Sequence, residues 1–368
     1  MGGFSFWREN QNYDLSSQNT PKYNVQSTHI YIRPHMLPFA KEVSVLIMKP
    51  KGVPYKLFGL KALERRLSKD SQKSDAINEA SRIVQAGVNG EKKLTDIFEK
   101  YTFPFEHYIF HDLNLQSTGK FQIDTLFLSA QGVVVLEMKN IAGSIYFPKE
   151  RRQLERTLDN GQADVFECPS VQLERNMMLL GDWLYARQLS VPIQGAVVFS
   201  SPRQKFENDR EDLRVLFPYE VPGFLRNREK LLPSLNTAAL SEVATMLVDA
   251  HSEYNPFPIC PSYGINPKFI KTGVFCQVCG MVEMRRISRG WACVLCGYFS
   301  KDAHHQAIID WFMLIGGTLT NRECRQFLHI TDASVARRLL KGMKVSSQGA
   351  NRGRIYWAEL KDLDNYLV

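Results

Sequence analysis

The sequence predicts an α/β (α+β) domain followed by two smaller modules, and three observations carry this. The stretch 121–140, FQIDTLFLSAQGVVVLEMKN, reads as two apolar strands around an Ala130-Gln131-Gly132 turn. An amphipathic helix over 171–189, opened by Pro169, leads through Pro192 into a buried strand over 193–200, an order that suits a crossover back into one sheet. A Pro-rich segment around Asn255-Pro256-Phe257-Pro258 then separates this region from two Cys-x2-Cys pairs and a helical tail.

Taken in order, residues 1–47 begin rich in Asn, Gln, Ser and Tyr and read as a poorly ordered leader. Met48 is an alternative start, because Lys41-Glu42-Val43 can be encoded by a ribosome-binding-like AAGGAGGT. Residues 48–85 form a helical segment: Leu60, Leu63 and Leu67 recur at helical spacing, the helix stops near Ser68-Lys69-Asp70, and it is expected to pack on the α/β domain. A second helix begins near Ser74 and is interrupted by Gly87 and Gly90, after which Glu91, Leu94, Ile97, Phe98 and Tyr101 share a face. The α/β domain spans 86–252. Within it fall a strand over 105–110 ended by His111-Asp112-Leu113, the hairpin, a returning strand over 144–147, and a basic loop with Arg151, Arg152, Gln153 and Arg156. The crossover follows, then a loop-like stretch over 207–216, an edge element over 219–225 and a closing helix over 237–251. A linker (253–270), a cysteine module (271–302) and a tail (303–368) complete the chain.

With 44% hydrophobic residues in 368, the chain can bury at least one sizeable core. The net charge of +8, from 46 Lys+Arg against 38 Asp+Glu, suits a polyanionic partner without demanding one. No apolar run reaches ~18 residues and no signal-peptide pattern is present, which argues against membrane insertion and predicts a cytoplasmic location. Seven cysteines, four of them in paired clusters, point to reduced thiols and a metal rather than a disulfide framework.

The hairpin carries the chemistry. Glu137 and Lys139 project from one face of the second strand and Asp124 faces them from the first; such charges in an apolar hairpin are costly unless they pair or hold a metal. The resulting D-x12-E-x-K pattern is one that metal-dependent nucleases use. It is also short, and a same-face ion pair at a strand end satisfies it equally in form. Glu91, in a first helical turn, has an ordinary reading as a dipole-favoured acid, and Arg151 and Arg152 as a solvated surface. Beside a nuclease site, the two arginines could hold phosphates.

Cys276, Cys279, Cys293 and Cys296, with thirteen residues between the pairs, match a structural four-thiolate zinc ribbon, with Gly280 and Gly297 allowing the knuckle turns. In the tail, a helix around Trp311, a Thr320-x-x-Glu323 capping box opening a second helix, and a third helix over 332–343 give a helix-turn-helix order. A basic hairpin around 348–353 completes a winged-helix-like module, in which Arg337, Arg338, Lys341 and Arg352 could contact phosphates with the third helix in the major groove. Protein contacts are the alternative use of such a module.

These residues resemble the nuclease-related domain (NERD) family over about 90–189: Gly90-Glu91, Phe110-His111-Asp112-Leu113, Gln122-Ile123-Asp124-Thr125-Leu126, Glu137-Met138-Lys139-Asn140, Gly143, Gln153 and Pro169-x-x-Gln172. The remainder is similar to long bacterial members that append a zinc ribbon and a helical tail. The loop between Phe147 and Pro169 departs by lacking the tryptophan that some relatives carry. The resemblance implies a restriction-endonuclease-like PD-(D/E)xK core in which Asp124, Glu137 and the Met138 carbonyl hold Mg2+, with Lys139 acting on the attacking water and Gln172 and Glu91 in support. It also implies a DNA nuclease leaving 5′-phosphates, in DNA repair or anti-phage defence. A DNA-binding protein with an inactive nuclease fold and a zinc-dependent redox protein are the competing functions, and a homo-oligomer is compatible with this organisation.

Overall fold

In the computed structural model, which describes residues 46–68, 71–201, 205–280 and 283–367, the first described element is a strand, β1 (Leu46–Lys49), that the helical reading of this segment did not include. The expectations for residues 1–45 and for Lys69-Asp70 fall outside the described residues. Helices α1 (Tyr55–Arg66) and α2 (Ser74–Lys100) follow. Next come β2 (His107–Gln116), β3 (Lys120–Ser129) and β4 (Gly132–Lys139), an antiparallel meander. Val133 to Leu136 of β4 are buried on both faces of the sheet, which is why the sequence there is a continuous apolar run.

After β4 come β5 (Ser144–Phe147), β6 (Gln153–Thr157), β7 (Ala163–Glu167), α3 (Pro169–Tyr185) and β8 (Ile193–Phe199). Then follow β9 (Phe206–Asn208), β10 (Val215–Leu216), α4 (Val221–Arg226) and α5 (Thr237–Ala250). One six-stranded sheet runs β1-β2-β3-β4-β8-β10, with β8 parallel to β4 through the α3 crossover, as the helix-then-strand order predicts. Side chains of α3 and α5 cover one face, including Leu180, Trp183, Leu240 and Leu247; those of α2 and α4 cover the other, including Leu94, Phe98, Val221 and Leu225. The result is a mixed α/β domain.

Several expectations are corrected. The strand at 144–147 does not return to the hairpin: it joins a second sheet, β7-β6-β5-β9, so the basic stretch read as a loop runs into β6, and the loop-like 207–216 contributes β9 and β10. Residues 219–225, read as an edge element, enter α4. β2 continues through His111-Asp112-Leu113 instead of ending there. Most instructive is α2, which is unbroken across both glycines. A glycine costs about 1 kcal/mol inside a helix, but a Cβ on Gly90 would lie 2.7 Å from the Cβ of Asn140. Only a glycine lets α2 approach the end of β4 this closely, which carries Glu91 to the edge of the sheet.

The α1 helix also packs elsewhere than expected. Leu60, Leu63 and Leu67 join a core with Ile259, Cys260 and Ile270 of the Pro-rich segment and with Ile308, Phe312 and Phe327 of the tail. The segment read as a linker is therefore packed structure. At its centre Arg66, 1% exposed, donates from Nε to Asp310 Oδ2 at 2.6 Å and lies over the Phe275 and Phe327 rings at 4.2 and 4.7 Å.

A three-stranded antiparallel sheet of β11 (Met284–Ile287), β12 (Gly290–Cys293) and β13 (Phe299–Ser300) carries Cys293, with Cys276 and Cys279 before it and Cys296 between β12 and β13. The tail follows as α6 (His304–Leu314), β14 (Leu319–Thr320), α7 (Asn321–Leu328), α8 (Ala333–Lys341), β15 (Ser346–Gln348), β16 (Ile355–Trp357) and α9 (Leu360–Leu363). Its strands form a small sheet, β14-β16-β15. The Thr320–Glu323 capping box forms, with the Glu323 N–H donating to Thr320 Oγ1 at 3.2 Å and the Thr320 N–H to Glu323 Oε2 at 2.7 Å. Among the described residues, no helix is long and apolar enough to cross a membrane.

Candidate active site

Asp124 and Asp112 stand opposite one another where the β2–β3 ladder breaks: His111 pairs with Thr125 and Leu113 with Ile123. Between them Asp112 takes φ 50°, a left-handed conformation that a short polar side chain tolerates. On the next strand Glu137, 1% exposed, and Lys139 lie on the face covered by α3, which contributes Gln172 and Asn176 one helical turn apart. Lys139 Nζ donates to Glu137 Oε1 at 2.7 Å and to Gln172 Oε1 at 2.9 Å. The Met138 N–H donates to Asp124 Oδ2 at 2.9 Å, and Asn176 Nδ2 reaches the Gln122 carbonyl at 2.9 Å and Glu137 Oε2 at 3.5 Å.

Glu91 reaches the cluster from α2 through its field at Asp124 and Glu137. It also pairs with Lys51, whose ammonium donates to Asp112 Oδ1 at 2.6 Å while the Gly52 N–H donates to Asp112 Oδ2 at 2.9 Å. Burial would depress the Lys51 pKa, yet Asp112 and Glu91 together hold it above its ordinary value. Burial, only partly offset by Lys51, raises Glu91, with Asp124 and Asp112 adding to the rise. Burial raises Glu137 despite Lys139. Burial and the Glu137 charge push Asp124 up to about 7 in spite of the Met138 N–H. Four carboxylates thus face two ammonium groups.

This has a consequence for stability. A carboxyl whose native pKa is raised from 3.8 to about 7 keeps its proton in the folded state at pH values where the unfolded chain has lost it, so the cost of burying the charge is absent below pH ~4, accumulates as pH rises from there to about 7, and is fully present above that. Without divalent cations, the melting midpoint is expected to fall between pH 4 and 8, and Asp124→Asn to flatten that fall and raise the midpoint at pH 8. An Asp124→Asn midpoint at or below wild type at pH 8 contradicts the buried-charge account.

The structure brings together Asp124, Glu137, Lys139, Gln172 and Glu91, with the Met138 backbone beside them. Gln153 instead begins β6 in the second sheet, opposite Glu167. Arg152 donates to Glu174 of α3 at 2.8 Å, and Arg151 and Arg152 share a surface hollow with Asp209, Glu211 and Asp212, so the charge there is mixed. Arg337, Arg338, Lys341 and Arg352 are exposed on α8 and the β15–β16 connection. Reading the sequence missed Lys51, Asp112 and Asn176. Asn176 was within reach as the residue one turn after Gln172; Lys51 sits in a Lys-Gly pair with no distinguishing signal. A cleft of about 710 Å³ lined by Leu173, Met177, Gly195 and Phe206, with Glu174, Glu211 and Asp212, includes none of Glu91, Asp112, Asp124 and Glu137.

The four sulfur atoms of Cys276, Cys279, Cys293 and Cys296 lie within 4.8 Å of one another. The Cys276–Cys296 and Cys279–Cys293 sulfur separations, 3.7 and 3.5 Å, approach the ~3.8 Å edge of a tetrahedron with ~2.3 Å metal–sulfur bonds. Gly280 and Gly297 adopt φ 68° and 73° at the knuckles. This cluster could bind a metal such as zinc. In the α/β domain, a group of hard oxygen donors with unmatched negative charge suits a divalent cation.

No curated protein and no solved structure matches the chain. The family model of the nuclease-related domain matches residues 86–200, a span that runs from within α2 to the end of β8 and contains Glu91, Asp124, Glu137, Lys139 and Gln172. Over this span the chain is similar to the nuclease-related domain family.

Proposed function

We propose that the protein is a Mg2+-dependent nuclease that hydrolyses DNA phosphodiester bonds, with a PD-(D/E)xK core, a zinc ribbon and a winged-helix-like tail. The observation that carries this reading is Lys139: its ammonium spends two donors on Glu137 and Gln172, which leaves the third for a water or phosphate oxygen beside the carboxylate pair. Asp124, Glu137 and the Met138 carbonyl would hold the cation, which when bound supplies a Lewis acid for the scissile phosphate. Lys139 orients the attacking water and stabilises negative charge growing on the phosphorus oxygens. Gln172 and Asn176 fix the rotamers of Lys139 and Glu137. Water oxygen bonds to phosphorus as the bond to the 3′ oxygen breaks, leaving a 5′-phosphate and a 3′-hydroxyl. The exposed Arg337, Arg338 and Lys341 of α8, with Arg352 on the wing, would hold duplex phosphates. DNA repair or anti-phage defence, in the cytoplasm, suits such an activity.

The competing reading, a DNA-binding protein with an inactive nuclease fold, draws on Lys51, an internal cation already seated between Glu91 and Asp112. Cleavage of plasmid DNA by the wild type in Mg2+ and in EDTA, alongside Asp124→Ala in Mg2+, separates the two. The nuclease reading expects cutting in the first reaction alone; cutting that survives EDTA or the substitution defeats it, and no cutting at all favours the inactive fold.

A further inference from the structure

The cysteine-bearing sheet has two unlike faces. Directly opposed residues of antiparallel strands point to the same side, so Arg286, Trp291 and Ser300 form one face, and Arg285, Ala292 and Phe299 the other. The first face is covered: Trp291 is 1% exposed and its Nε1 donates to His304 Nδ1 of α6 at 3.3 Å. The second is open. Phe299 is 43% exposed, and Ile287, on the same side as Arg285, is 42% exposed. Gly290 explains how the ring is held there, because a Cβ at that position would come within 2.6 Å of the Phe299 ring. The far edge of the phenyl ring, Cε2 and Cζ, therefore sits against a backbone that only glycine leaves free. Small Ala292 separates it from Arg285, so the face presents a bare ring and a guanidinium two strands, or about 10 Å, apart. Arg289 is exposed in the adjoining turn. Burial chiefly, then the charge of Arg338 on α8, depresses Arg286, so the basic side chains of this sheet adjoin those of α8.

An apolar patch of Phe299, Ile287 and Ala292 beside the exposed Arg285 and Arg289 is the wrong surface for a basic peptide and suits a chain that alternates flat aromatic groups with anions. We propose that this face is a stacking platform for single-stranded nucleic acid, with an unpaired base on Phe299 and the neighbouring phosphate on Arg285. The site lies outside the carboxylate cluster and its occupancy does not depend on cleavage.

The test is fluorescence anisotropy with labelled oligo(dT) and a duplex of equal length, on the full chain carrying Asp124→Ala and without added divalent cations, so that binding is read whether or not the α/β domain cuts DNA. Phe299→Ala is expected to weaken oligo(dT) binding about tenfold and duplex binding little. Arg285→Ala is expected to reduce the slope of log affinity against log salt by about 0.7. Unchanged oligo(dT) affinity in Phe299→Ala, or equal losses for single strand and duplex, overturns the platform. Because Phe299→Ala could loosen the sheet, Phe299→Trp gives a second readout: affinity is retained and the added indole emission is quenched by saturating oligo(dT), whereas unquenched emission overturns the proposal.

Discussion

Lys139→Met is expected to lower DNA cleavage by about 10²–10⁴-fold, the range typical of losing a group that handles a proton or positions the reacting water. Methionine keeps the aliphatic stem and removes only the ammonium, which isolates the donor that Glu137 and Gln172 leave free. The loss falls on the chemical step, so single-turnover rates at saturating DNA drop while affinity for DNA changes little. A rate within tenfold of wild type would remove Lys139 from the chemistry. Gln172→Ala provides a graded companion: it frees the ammonium from one of its two tethers and lowers the rate by less.

Asp310→Ala carries the largest expected effect on stability. Asp310 accepts from Arg66 Nε at 2.6 Å, Arg65 Nη2 at 2.9 Å and Gln306 Nε2 at 2.9 Å, and its side chain and that of Arg66 are each 1% exposed. Its removal leaves the Arg66 guanidinium in an apolar core with only the Lys271 and Gly273 carbonyls and two phenyl faces, a situation that costs about 3–5 kcal/mol. Urea denaturation measures it. Replacing both charges with apolar residues, Arg66→Met with Asp310→Leu, is expected to recover most of the loss, because no unpaired charge remains. A single substitution costing under about 1 kcal/mol would show that the pair is not buried in solution.

What could be read from the sequence follows what each signal depends on. The hairpin over 121–140, the crossover strand over 193–200 and the cysteine spacing are local patterns, and each reappears as β3–β4, β8 and the four-sulfur cluster. Asp124, Glu137 and Lys139 stood out because charges in an apolar strand are conspicuous. Asp112 did not, since its role depends on a left-handed backbone that breaks the ladder opposite Asp124, and Lys51 did not, since its partners are 40 and 61 residues away. The α2 glycines were read as helix breakers because propensity is a local quantity, whereas Gly90 answers to Asn140 on another element. The docking of α1 was misplaced for a related reason: an apolar stripe shows that a helix is covered, never by what.

That docking sets an order of events during synthesis. Arg66 and Asp310 are 244 residues apart, and at ~5–20 residues per second a ribosome takes roughly 12–49 s to travel between them. Throughout that interval α1 can meet Ile77 on α2, the helix that follows it, but not Ile308, Phe312 or Phe327 of the tail, while the α/β domain can already be completed. The first of the described helices is thus among the last to be fully buried: the part of its apolar stripe that faces the tail stays open until α6 and α7 have emerged.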